Sequence, residues 1–191
     1  MVRKMTPQIE PLLKELFADN LHVSTFVEYG RNCVRLKETR KNAGLREVTI
    51  MDLPNDSIVL NIEKFDQPKT LFKGKNGECR RCDYILALAK ENRRFLLFIE
   101  MKSGRFNNAE VQQQFKGSEC VMDYCEAVLD RFHSQNGLLK SYEKRFVIFY
   151  KPSLAKRPTQ PFRKPAKNDS PEKALKYPSP QNPSINILLG I

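Results

Sequence analysis

The chain has 191 residues, 40% of them hydrophobic, and carries 33 Lys+Arg against 22 Asp+Glu for a formal charge of +11. That length fits one domain plus a tail, and the apolar content excludes a wholly disordered chain. No apolar run reaches the roughly 18–20 residues of a membrane span, and the basic N-terminal stretch has no signal-type apolar region. The expectation is a cytoplasmic protein with no membrane partner. Its charge points to a polyanion, nucleic acid above all, or to an acidic protein.

In chain order, Ile9, Leu12, Leu13, Leu16 and Phe17 fall on one stripe and predict an amphipathic helix over 6–19. Helical spacing is also read over 21–37, interrupted by Gly30. The polar segment 38–56, with Gly44 and Pro54, is read as loop. The period then changes. Ser57 to Phe65 alternates, Cys82 to Ala89 is apolar apart from Asp83, and Phe95 to Lys102 is apolar on both faces until Glu100. All three read as strands, the last as a central one. Asn107 to Phe132 is a long helix, opened by Asn107 with Glu110 three residues on. Its buried stripe is expected to run from Val111 and Phe115 through Val121, Met122, Cys125, Val128 and Leu129 to Phe132. Arg145 to Tyr150 closes the series as a further strand. The predicted fold class is α/β, a central sheet flanked by helices.

Residues 151–191 hold eight of the twelve prolines, with eight basic side chains against two acidic. Each proline removes a donor and fixes its φ, so 151–183 reads as an extended basic arm. Such an arm either solubilises the protein or touches nucleic acid. Ile185 to Ile191 is expected to dock on the body as a short strand. The organisation is therefore a domain over 1–150, with its core at 57–150, and a Pro-rich arm over 151–191.

Five cysteines, an odd number, argue against a disulfide framework. Cys79 and Cys82 form a CxxC, which invites zinc if Cys120 and Cys125 complete the set. Those two stand about 140° apart around a helix, so small half-buried core thiols are the preferred reading.

The chemistry gathers on the two central strands. Glu100 and Lys102, at i and i+2, share one face. The short link Lys90-Glu91-Asn92-Arg93 suits a hairpin that pairs Ala89 with Arg94 and hence sets Asp83 opposite Glu100. Opposed residues of an antiparallel pair have Cβ atoms roughly 4.5–5.5 Å apart, so two carboxylates converge with an ammonium beside them. Paired carboxylates need a shared proton or a cation, and hard oxygen donors suit Mg²⁺ or Mn²⁺. Such an ion polarises a phosphodiester and activates water, and a neighbouring lysine positions that water or offsets developing charge. The competing reading is an idle Asp–Lys–Glu salt bridge at a strand end. On the long helix, Gln114 and Ser118 fall within the apolar arc. Gln114 either faces the cleft or sits at the rim of the core.

Asp83 followed by Glu100-Met101-Lys102 on the second arm of a hairpin resembles the PD-(D/E)XK nuclease superfamily. So does the inferred αβββαβ order, which implies a restriction-endonuclease-like core. The resemblance implies that Asp83 and Glu100 hold the divalent metal, joined by the Met101 carbonyl, and that Lys102 assists the attacking water. It also implies a role for Gln114 on the following helix. The proline of the family name is replaced by Cys82, and the extra acid many members carry falls to Glu10, Glu15 or Glu28. The expected activity is hydrolysis of DNA, with a homodimer or a targeting partner protein supplying two-strand cutting or specificity. A ribonuclease and a catalytically silent binding module of the same fold stand as alternatives.

Overall fold

A computed structural model describes residues 9–38, 45, 47–65, 71–152, 167–179 and 182–191. The chain is an α/β fold with a mixed five-stranded sheet, a three-stranded antiparallel sheet and helices packed on them. Helix α1 (Ile9–Leu16) follows the predicted stripe, with Leu13 buried and Leu12, Leu16 and Phe17 half-buried beside it.

The segment 21–37 is not helical. It forms a hairpin of β1 (Thr25–Glu28) and β2 (Arg31–Lys37), reversed at Tyr29 and Gly30, both of which have positive φ. The tightest hairpin turns require that conformation at both central residues, and glycine supplies it without strain. Val34 and Leu36 are buried while Arg35 and Lys37 are exposed, a period of two that outweighs the helical spacing. The loop expected over 38–56 likewise contains β3 (Glu47–Met51), whose Ile50 and Val48 pair with Val34 and Leu36 and share their core. Of the basic run from Arg35 to Lys41, residues 39–41 lie outside the described residues.

The larger sheet comprises β4 (Ile58–Asn61), β5 (Tyr84–Lys90), β6 (Arg93–Lys102), β7 (Glu143–Tyr150) and β8 (Leu175–Pro178), in that spatial order. The first three are antiparallel, and β6, β7 and β8 run parallel. β4 is shorter than the predicted strand, because residues 62–64 wind into a 3-10 turn. The β5–β6 hairpin turns at Glu91 and Asn92, both with positive φ, and pairs Ala89 with Arg94 as its loop length requires.

Helix α2 (Asn108–His133) makes the crossover from β6 to β7, with the Asn107 side chain accepting the Ala109 N–H at 2.9 Å. Val111, Phe115, Met122, Cys125 and Leu129 lie against Ile85, Leu96, Phe98 and Phe146 of the sheet. Phe132, expected on this stripe, is 79% exposed, and Leu138 and Leu139 of the next turn fill the core instead.

The opposite face of the sheet is covered by the three-stranded sheet and by α3 (Ile185–Leu189). The end of the chain therefore docks as a helix and not as a strand. Its buried Ile185, Leu188 and Leu189 have i, i+3, i+4 spacing. Buried Arg145 donates to the Leu189 carbonyl at 2.8 Å, and buried Asn168 donates to that of Leu188 at 3.0 Å. Carbonyls that the helix end leaves open are thus satisfied inside the protein. Part of the segment expected to be an extended arm instead joins the sheet, where β8 pairs with β7 and buries Leu175 and Tyr177, while 153–166 and 180–181 lie outside the described residues.

Candidate functional site

Strand alternation decides where the polar groups of the central hairpin go. Leu96 and Phe98 of β6 face the α2 layer, so Glu100 and Lys102 continue that face; Asp83 shares it through Ile85 and Ala87. The register Tyr84 with Ile99 places Asp83 opposite Glu100 one step on, as the loop length predicts. The Asp83 N–H donates to the Ile99 carbonyl at 3.1 Å, and its own carbonyl accepts the Ile62 N–H at 2.9 Å. Asp83 is thus pinned between the turn after β4 and strand β6.

Both carboxylates are buried, Glu100 to 1% exposure and Asp83 to 9%. Asp83 Oδ2 accepts the Met101 N–H at 2.6 Å. Burial first, and the Glu100 charge second, raise the Asp83 carboxyl well above its usual range, against the Met101 N–H that lowers it. Glu38 and Glu63 add smaller upward pushes. Lys102 Nζ lies 2.5 Å from Glu100 Oε1 and donates to Gln114 Oε1 at 3.0 Å. Gln114 in turn donates to the Arg81 carbonyl at 3.3 Å. The four residues Asp83, Glu100, Lys102 and Gln114 therefore meet at one end of the hairpin, and Met101 joins them through its backbone. The N–H and C=O of one strand residue leave from the same edge, so the Met101 carbonyl is directed to the Asp83 side.

A cleft of about 260 Å³ opens here, lined by Glu63, Arg80, Arg81, Asp83, Lys102, Glu110 and Gln114. Glu63 lies in the turn after β4, next to the Asp83 carbonyl that its own N–H meets at 3.4 Å. Sequence reading missed Glu63, Arg80 and Arg81. The break in alternation after Asn61 was the available signal for the first, whereas the irregular segment carrying the arginines has no period to read. Of the acids expected from the early chain, the side chain of Glu10 lies outside the described residues, and neither Glu15 nor Glu28 lines the cleft. His22 lines a different hollow, beside Lys14 and Asp19, with Nε2 3.2 Å from the Phe17 carbonyl.

The segment before Asp83 is held against α2. A Cβ on Gly117 would lie 1.9 Å from the Arg80 carbonyl, so only glycine admits this approach. At the next residue, the buried Ser118 hydroxyl accepts the Cys82 N–H at 2.8 Å. The CxxC does not converge. Cys82 is buried against Ser118 and the Tyr84 carbonyl, Cys79 faces the Phe72 carbonyl at 3.9 Å, and Cys120 is exposed. Burial pushes the Cys125 thiol up to about 11.

Among the described residues, no three His, Cys, Asp or Glu side chains form a metal-binding group. The donor set is two carboxylates with a strand carbonyl beside them. That composition fits Mg²⁺, which keeps several waters and binds through one or two carboxylates. Among the described residues, no helix is long and apolar enough to cross a membrane. No protein-family model, curated protein or solved structure matches the chain.

Proposed function

We propose that the chain is a metal-dependent nuclease of the PD-(D/E)XK type, hydrolysing phosphodiester bonds in DNA. What carries this reading is the convergence of two buried carboxylates and one ammonium at the open end of a β-hairpin. The element order α1, β4, β5, β6, α2, β7 supports a restriction-endonuclease-like core, into which β1 to β3 are inserted after the first helix. The basic proline-rich arm and the charge of +11 favour a polyanionic substrate.

In this reading Asp83, Glu100 and the Met101 carbonyl hold Mg²⁺ or Mn²⁺. When bound, such an ion supplies Lewis-acid polarisation of the phosphate and a lowered pKa for a coordinated water. The protein's own groups do the rest. Lys102 is fixed between Glu100 and Gln114, so its positive charge offsets charge developing on the phosphate oxygens without reorganisation. Gln114, anchored on the Arg81 carbonyl, holds the ammonium in place. Burial and the neighbouring Glu100 charge hold the Asp83 carboxyl well above its usual range, and a bound cation would offset that repulsion. A cytoplasmic setting, and a second copy or a targeting partner for two-strand cutting, belong to the same proposal.

The test is wild type and Glu100→Ala incubated with plasmid DNA, single-stranded DNA and RNA, each with Mg²⁺, Mn²⁺ or EDTA. Metal-dependent cutting of DNA by wild type alone is the expected result. Cutting of RNA alone reassigns the substrate. Nucleic-acid binding that ignores both metal and Glu100, without cutting, makes the chain a silent module. Equal cutting by both proteins refutes the site.

A further inference from the structure

Beyond the carboxylate cleft, on the other side of the segment Cys79-Arg80-Arg81, lies a second hollow of about 340 Å³ between that segment and α2. Its walls include Phe65, Leu71, Phe72, Val121 and Tyr124, and Glu78, whose carboxylate accepts the Gly74 and Asn76 N–H, also lines it. The rings are open to solvent, Tyr124 at 69%, Phe72 at 46% and Phe65 at 41%. Arg80 and Arg81 line both hollows. The close approach at Gly117 fixes this shared wall to the helix. The Arg81 guanidinium already lies over the Phe65 ring, 5.2 Å from its centroid.

An apolar, aromatic hollow that shares Arg80 and Arg81 with a candidate phosphodiester site has the chemistry to receive a nucleotide. Flat rings take a base face, and the positive charges of Arg80, part-exposed beside Glu110, and of Arg81, held on the Ile62 and Phe65 carbonyls, attract the flanking phosphates. A paired duplex keeps its bases stacked on one another and offers no free face. We propose that this hollow binds an unpaired base next to the scissile phosphate, so that the protein prefers single-stranded or locally opened nucleic acid. The inference rests on reading the carboxylate cleft as a phosphodiester site. It does not rest on catalysis, because stacking needs no metal.

The experiment is binding in EDTA of a short oligothymidine and of a duplex of equal length, with wild type, Phe72→Ala and Tyr124→Ala. A ring that stacks a base contributes enough that removing it weakens single-strand binding by about tenfold. The expected result is that loss for each variant, with duplex binding unchanged. An oligonucleotide carrying 5-iodouracil is expected to photocrosslink to Phe72 or Tyr124 in wild type. Circular dichroism and thermal melting check that the variants fold; should one fail, crosslink mapping on wild type decides alone.

Equal binding of single strand and duplex by wild type overturns the proposal. So do variants that bind single strand as wild type does, or crosslinks that map elsewhere. A dimer that Tyr124→Ala dissociates, with nucleic-acid binding intact, reassigns the hollow to a second copy of the chain. Failure of metal-dependent cutting leaves these EDTA readouts untouched, so the two readings fall separately.

Discussion

Replacing Asp83 by Asn should stabilise the protein in the absence of metal and remove its response to metal. Two unit charges about 5 Å apart at an effective dielectric of about 20 repel by roughly 3 kcal/mol. Lys102, at 2.5 Å from Glu100, offsets part of this, leaving a net strain of about 1–2 kcal/mol. The Asn amide oxygen retains the Met101 N–H bond, and its NH₂ group offers Glu100 a donor in place of a charge. For a chain of this size each kcal/mol moves Tm by about 2–4 °C, so a gain of about 2–8 °C is expected in EDTA at neutral pH. The sign of the pH dependence follows from the raised Asp83 carboxyl. Between its ordinary value and its raised one the folded state holds more protons than the unfolded, so wild-type stability falls as pH rises through that window. The variant lacks that contribution. On the proposed function, millimolar Mg²⁺ at about a hundredfold excess over Kd should stabilise wild type by about 2.7 kcal/mol, and Asp83→Asn should show little of that shift. Differential scanning calorimetry of both proteins in EDTA and in Mg²⁺, across mildly acidic to neutral pH, reads all of this. A variant less stable than wild type in EDTA at neutral pH would refute the repulsion argument.

Gly117→Ala gains about 1 kcal/mol of helix propensity, but its methyl meets the Arg80 carbonyl at 1.9 Å. The expected outcome by urea denaturation is a net loss of about 1–2 kcal/mol, with weaker cleavage; a stabilised variant would show that the segment does not lie on α2. Ser118→Ala strips the buried Cys82 N–H of its acceptor and should cost about 1–3 kcal/mol, read from the denaturation midpoint. Gln114→Ala frees the Lys102 ammonium from one of its two anchors. The proposed function predicts a fall in kcat of at least about tenfold with metal affinity unchanged, so loss of metal binding measured by titration calorimetry would place Gln114 in a different role.

The central hairpin was legible because one number, the length of its turn, sets the register of every pair along it. Asp83 opposite Glu100 follows from Glu91 and Asn92 alone. Helix α2 was legible through its cap and its long stripe, up to the last turn, where Phe132 leaves the sheet and Leu138 takes over. The first hairpin was misread because its apolar residues recur at spacings that suit a helix. The distinguishing facts are the paired positive φ at Tyr29 and Gly30 and the partner strand β3, neither visible within a short window. The catalytic candidates on regular strands could be aligned by parity. Glu63, Arg80 and Arg81 sit in turns and loops whose path is set by tertiary contacts, such as the approach at Gly117.

The docking of α3 has a bearing on how the protein is made. Ile185, Leu188 and Leu189 seal one face of the sheet, and Arg145 and Asn168 are buried against the carbonyls of Leu188 and Leu189. During synthesis the hairpin bearing Asp83 and Glu100 emerges long before that seal. Until residue 189 has left the ribosome, β1 to β3 cover only part of that face and the Arg145 Nε–H lacks the Leu189 carbonyl. The nascent chain therefore passes through a stage in which its acidic centre is assembled on an unfinished core, prone to aggregation. Truncation just before Ile185 traps that stage, and makes the final turn of helix a checkpoint on the maturation of the whole sheet.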